Sequence, residues 1–256
     1  FLPGHPVFEV AAQWDAEAKE IRLAVTQVQN RERGTPVYRT PVRIGIVTPE
    51  GRRVEEVWVD EEQENFVFPS TAKPQLVRFD EGNWLLKEWS YPKTTEELLY
   101  QAEHDDVIGR EWAVRELARS VDEGRVRDAL AGLANDDPFW AVRLAALEVL
   151  GIPEDPEHFG LLRSSSEDTS SRVRRVAVRL LGNARAQDLV GFFRNRFERD
   201  DSYLVQAELV RSIGKTGDRT QVPFLRETLE MPSHQDVLQK AAEWAIEEIT
   251  SGSFRR

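Results

Sequence analysis

Over the first 92 residues, apolar and polar positions alternate with a period of two. Phe8, Val10 and Ala12 alternate with Val7, Glu9 and Ala11, and Ile21, Leu23, Val25 and Gln27 alternate with Arg22, Ala24 and Thr26. Val42, Ile44 and Ile46 flank Arg43 and Gly45. Val57 and Val59 flank Trp58, Phe66 and Phe68 flank Val67, and Leu76 and Val77 lead into Arg78 and Phe79. Such alternation, rich in β-branched and aromatic residues, predicts half-buried strands. Turn chemistry separates them at Asp15 to Lys19, Gly34 to Pro36, Pro49-Glu50-Gly51 and Pro69 to Pro74. About seven short strands at this spacing predict an antiparallel β-sandwich.

Pro92 ends that pattern, and Thr94 or Thr95 can cap a first helix. From there the apolar period becomes helical, and the sequence repeats. Asp137, Asp168 and Asp200 are each followed six residues later by Arg143, Arg174 or Gln206. Leu150-Gly151, Leu181-Gly182 and Ile213-Gly214 come seven and eight residues after that. A fourth copy reads Ser233, Gln239, Ile246 and Glu247, and a weaker first copy holds Arg110 and Leu117. The Arg/Gln position recurs every 31 to 33 residues. Asp and Ser read as N-caps, Pro138 as a first-turn proline and Gly as a left-handed stop. Between them, Val142, Ala145, Ala146 and Val149 form an apolar stripe, as do Val173, Val176, Ala177 and Leu180. A shorter amphipathic helix precedes each long one, at Val126 to Leu133, Phe159 to Leu162, Leu189 to Phe197 and Val222 to Leu229. Two helices per repeat, stacked, predict a HEAT-like α-solenoid. The expected division is a β-sandwich at 1–92 and a helical-repeat domain at 93–256.

Charge changes the picture locally. The chain of 256 residues has a net charge of -11, no Cys and 4 His. Lack of Cys excludes disulfides, thiolate metal sites and a Cys nucleophile, and suits cytoplasm or periplasm equally. An acidic balance argues against a chain built for nucleic acid, and no apolar run is long enough to span a membrane. Residues 172–199, however, hold 8 Arg against Asp188 and Glu198. In this island Arg172, Arg174, Arg175 and Arg179 are the candidate residues for binding an anionic ligand, such as a peptide's terminal carboxylate, or an acidic protein partner. The competing reading is structural: Asp–Arg ladders between stacked repeats, and otherwise a solvated face.

Other chemistry is thin. His5, His104, His158 and His234 make no helical pair, and His-Glu-x-x-His is absent. His104, in Glu-His-Asp-Asp, reads as a helix-start cap. Gly214 to Asp218 echoes the end of a P-loop, but Leu209 stands where the motif needs Gly. Ser164 to Ser171 reads as a polar loop between helices. The seven Trp residues read as packing groups. The chain holds no self-sufficient catalytic constellation.

Several stretches together resemble the C-terminal half of the zinc-dependent gluzincin aminopeptidases, the membrane alanyl aminopeptidase family. They are Gly4 to Val10, Trp14-Asp15, Val25 to Gln29, Thr35 to Ile44, Val77 to Trp89 and Glu97 to Ala113. The resemblance covers residues 1 to about 150; beyond that it rests on the repeat architecture. It implies a non-catalytic region, without the catalytic domain, that bridges to that domain and helps shape the substrate cavity. The partners implied are a peptide substrate and an upstream catalytic domain, with zinc held there and none in this chain. A start at Phe1 rather than Met fits a piece of a longer protein. The alternative is a helical-repeat scaffold for a protein partner, without peptidase activity.

Overall fold

A computed structural model describes residues 4–32, 34–151, 159–184 and 187–251. Two compact units divide the chain, one running to Ala113 and one starting at Val114. No described helix is long and apolar enough to cross a membrane.

Among its described residues the first unit contains seven strands: β1 (Val7–Asp15), β2 (Glu20–Gln27), β3 (Thr40–Thr48), β4 (Gly51–Val59), β5 (Gln63–Pro69), β6 (Leu76–Phe79) and β7 (Glu88–Ser90). They form two sheets, ordered β5-β2-β1-β7 and β4-β3-β6. Period-two alternation puts Phe8, Val10, Ile21, Leu23 and Val25 of one sheet, and Val42, Ile44 and Ile46 of the other, into one buried core. The fold is therefore a β-sandwich. One pairing departs from expectation: β7 lies parallel to β1, Phe8 opposite Trp89, while every other pair is antiparallel. A parallel pair needs a long return between its strands, and here the whole of β2 to β6 supplies it. The β1–β2 turn is fixed by Asp15, whose Oδ1 accepts from the Glu17 and Ala18 amides.

Helices follow: α1 (Thr95–His104), α2 (Val107–Glu116), α3 (Gly124–Asp136), α4 (Trp140–Leu150), α5 (Gly160–Ser165), α6 (Ser171–Asn183), α7 (Val190–Arg199), α8 (Tyr203–Thr216), α9 (Val222–Leu229) and α10 (Val237–Ser251). Thr94 and Glu97 form a full capping box at the start of α1. In the second unit α4 packs on α3 and α6, α6 on α8, and α8 on α10. The buried faces hold most of the expected stripes, Val142, Ala145 and Ala146 on α4 and Val173, Val176 and Ala177 on α6, joined by Leu147, Val178 and Leu181, while Val149 and Leu180 are half-buried. Two helices per repeat, stacked on their neighbours, make an α-solenoid.

The repeat positions work differently from the expected caps and stops. Helix α4 starts at Trp140, two residues beyond Pro138, so that proline lies outside the helix. Asp137, Asp168 and Asp200 accept from the amides of residues 139, 170 and 202, the residues that immediately precede α4, α6 and α8. They make Asx turns ahead of the helix rather than capping its first turn. The glycines also differ. Gly151 ends α4 with φ 68°, but Gly182 and Gly214 lie inside α6 and α8. A Cβ on Gly182 would lie 2.2 Å from Ser212 Oγ, and one on Gly214 would lie 2.8 Å from Ala245 Cα. These glycines let the next repeat's long helix approach the backbone.

Gly214→Ala is therefore expected to destabilise the helical unit by about 1–3 kcal/mol, because backbone blocks the added methyl. Gly132→Ala on α3, where a Cβ meets nothing within 4 Å, should be neutral or stabilising by up to about 1 kcal/mol. Thermal unfolding followed by circular dichroism compares the two. Equal melting temperatures for both variants would contradict the close approach.

Candidate functional site

The Arg island resolves into two populations. Arg174 belongs to a ladder that ties the repeats together. Arg143 donates through Nε and Nη2 to both oxygens of Asp168, at 2.7 and 2.8 Å. Arg174 does the same to Asp200 at 2.8 and 2.9 Å. Each Arg also donates to the carbonyl of its own repeat's Asp, 137 or 168. Gln206 keeps that inner bond, to the Asp200 carbonyl. Where Gln replaces Arg, the next repeat presents Ser233 instead of Asp, so donor and acceptor change together. Burial alone would raise the Asp168 carboxyl, but the Arg143 and Ser170 hydrogen bonds outweigh it and hold the group below its ordinary range. Hydrogen bonding to Asp200 likewise raises the Arg174 guanidinium.

Arg172, Arg175 and Arg179 recur at three- and four-residue spacing and share the other side of α6. Arg172 lies over the Trp140 ring at 4.4 Å. Arg179 reaches Glu148 of α4 at 2.9 Å, a carboxylate that Arg115 also approaches, at 3.5 Å. Arg175 approaches Glu208 of α8 at 3.7 Å. Glu208 is only 6% exposed and faces Arg211 and Lys215 as well, at 3.6 and 4.0 Å. Arg211 and Lys215 were not among the candidates from sequence. Their signal was available: with Leu204 and Glu208 they keep the spacing of one helix face. Arg185 and His158 lie outside the described residues.

The remaining motifs are structural. Ser164 and Ser165 end α5 and Ser171 begins α6, and residues 166–170 between them form the expected loop. Gly217 caps α8 through its amide to the Ile213 carbonyl, and Asp218 accepts from the Thr220 amide. This is a turn. His104 stands at the end of α1, with Nδ1 at 3.0 Å from the Tyr100 carbonyl, and the helix-start cap of this stretch is Asp106, whose Oδ1 accepts from the Gly109 amide at 2.8 Å ahead of α2. His5 sits 2.9 Å from Glu88. Among the described residues no three His, Asp or Glu side chains are grouped to hold the zinc that the family resemblance implies, and these two histidines serve separate local contacts. Not all Trp residues pack inside: Trp84 is 74% and Trp58 47% exposed.

The first unit holds a buried polar network that sequence reading did not single out. Arg78 of β6 lies 2.5 Å from Asp105, whose side chain is fully buried, and 3.0 Å from Asp106. β6 is an edge strand, yet all four of its residues are buried: Val77 and Phe79 belong to the sandwich core, and α1 packs against the strand as well. Lys93 Nζ donates to the Val77 carbonyl and to Gln101 Oε1, both at 2.8 Å. The Trp89 and Trp112 rings stack at 4.9 Å. Burial pushes the Lys93 ammonium down to about 7; Glu97 and Asp105 oppose that shift, and Arg78 adds to it.

Lys93 carries a pH prediction. Below pH 7 it is charged both folded and unfolded, so the burial cost is fully present. Between about 7 and its unfolded value of 10.5, the unfolded chain binds the proton more tightly. This group therefore makes stability rise with pH, by at most about 1.4 kcal/mol per unit. Tyr91, whose phenol burial pushes up, acts oppositely only near and above pH 10. Urea unfolding followed by Trp fluorescence from pH 7 to 9 should show the rise in wild type and a flatter profile in Lys93→Met. Parallel profiles would refute it.

A family model for HEAT repeats matches residues 95–170 and 160–247, more than half of the chain. The chain belongs to the HEAT-repeat family. No curated protein matches it. Among solved structures, Legionella pneumophila aminopeptidase A, crystallised in complex with aspartic acid, is similar at 15% identity and a TM-score of 0.48. The match covers 98% of this chain and 32% of that one. The HEAT-repeat chain thus spans about a third of the aminopeptidase's length.

Proposed function

We propose that this chain is the non-catalytic sandwich and HEAT-repeat region of a zinc aminopeptidase that removes N-terminal residues from peptides. In this reading it bridges to the catalytic domain, covers it and shapes the substrate cavity. Zinc, the general base and the grip on the substrate's N-terminus belong to that other domain. The supporting observation is the pairing of the most specific stretch of the family resemblance with the stretch that follows it. Val77 to Trp89 and Glu97 to Ala113 fold onto each other, joining Arg78 to Asp105 and Trp89 to Trp112. Their side chains serve one buried structural network, which suits a bridging domain. The coding sequence upstream of residue 1 provides the test. His-Glu-x-x-His with a downstream Glu is expected there, and its absence would remove the proposal.

A second reading has its own observation. The HEAT-repeat match and the Arg-rich side of α6 suit a scaffold for a protein partner, with no peptidase activity. Full-length protein without the zinc motif that still captures a partner through this face would favour it.

A further inference from the structure

Helices α6 and α8 together contain six cations, Arg172, Arg174, Arg175, Arg179, Arg211 and Lys215, and one carboxylate, Glu208. Arg174 is spent on the ladder. Glu148 of α4 also meets this face, through Arg179 and Arg115. In a chain whose net charge is -11, this concentration of positive charge runs against the overall field. From this we infer that the face of α6 and α8 around Glu208 is a docking surface for an extended acidic peptide segment, one with carboxylates at alternate positions.

Geometry matches that occupant. Arg175 and Arg179 are one turn apart on α6, as are Arg211 and Lys215 on α8, so cations recur about every 6 Å along each helix. Packed helices lie about 8–10 Å apart. Alternate side chains of an extended peptide lie about 7 Å apart on one side, close to the cation spacing. Glu208 organises the patch without consuming it. Buried at its centre, it holds Arg175 and Arg211 by charge at 3.7 and 3.6 Å. Those distances exceed a hydrogen bond, so guanidinium donors remain available to a ligand carboxylate. Leu204, 53% exposed on the same face of α8, offers an apolar contact for the residues between the acids. The inference rests on the helical unit alone and does not require the peptidase reading.

The probe is a fluorescein-labelled Glu-Leu-Glu-Leu-Glu peptide with an amidated C-terminus, titrated with the full chain and read by anisotropy. Saturable binding that weakens in high salt is expected, with no binding of the Gln-Leu-Gln-Leu-Gln counterpart. Arg175→Glu/Arg179→Glu should weaken binding about tenfold or more. Arg226→Glu, on the exposed side of α9, should change it less than about twofold. Arg175→Gln/Arg179→Gln keeps the test open should the charge reversal fail to fold, and unchanged circular dichroism certifies either variant. A free-acid version of the Gln peptide separates a terminal carboxylate from acidic side chains; tight binding of that version alone would overturn the alternate-acid assignment. Equal losses in the α6 and α9 variants, or tighter binding of oligo-dT than of the Glu peptide, would overturn the proposal.

Discussion

Arg174→Ala is expected to cost the helical unit about 3–5 kcal/mol. The substitution removes a guanidinium that is 12% exposed and leaves Asp200, whose side chain is fully buried, without its bidentate partner. Arg196 approaches the same carboxylate at 3.4 Å and cannot replace two short charge-assisted bonds. At roughly 2–4 °C per kcal/mol, the melting temperature should fall by about 10 °C. Arg174→Lys keeps the charge but not the fork and should recover only part of the loss. Arg175→Ala, one residue on, breaks a contact of 3.7 Å from a half-exposed side chain and should cost less than about 1 kcal/mol. A loss for Arg174→Ala no larger than for Arg175→Ala would refute the ladder. Arg174→Ala/Asp200→Ala should cost less than the two single changes summed, since neither charge is left alone.

Arg78→Ala is expected to have a comparable effect in the first unit, about 3–5 kcal/mol. Arg78 is 5% exposed and its partner Asp105 fully buried. Without Arg78, Asp105 keeps the Gln101 amide at 3.0 Å but loses its counter-charge. Neutralising it in Arg78→Ala/Asp105→Asn should restore part of the stability. Thermal unfolding of the three proteins checks this; a double variant less stable than Arg78→Ala would show that Asp105 is not the group left stranded.

The architecture was readable because two periods, near 2 and near 3.6, mark the strands and the helices, and because Asp, Arg and Gly recur in register. What was misread is instructive. Asp168 and Asp200 stand in the Asp–Arg ladder that the repeat register predicts, but they do not cap the first turn, because the helices begin three residues later. Gly182 and Gly214 have the residue type of a helix stop, but the contact that demands glycine comes from Ser212 and Ala245, about 30 residues on. At these glycines local chemistry cannot show a partner one repeat away. The same limit hid the Arg78–Asp105 pair, since a lone Arg at the end of an apolar strand gives no sign of a helix packing on it. The Arg island was legible as a surplus of charge. Its division into Arg174 on one side of α6 and Arg172, Arg175 and Arg179 on the other follows from helical spacing. The part played by Arg211 and Lys215 depends on α8 lying beside α6.

The proposed role is tested most directly by assaying aminoacyl-amide hydrolysis in residues 1–256 and in the full-length coding product side by side, with and without a zinc chelator. The account predicts chelator-sensitive turnover that zinc restores in the full-length protein, and none in residues 1–256. Zinc-dependent turnover by residues 1–256 alone, or a full-length protein inert with zinc bound, would contradict it.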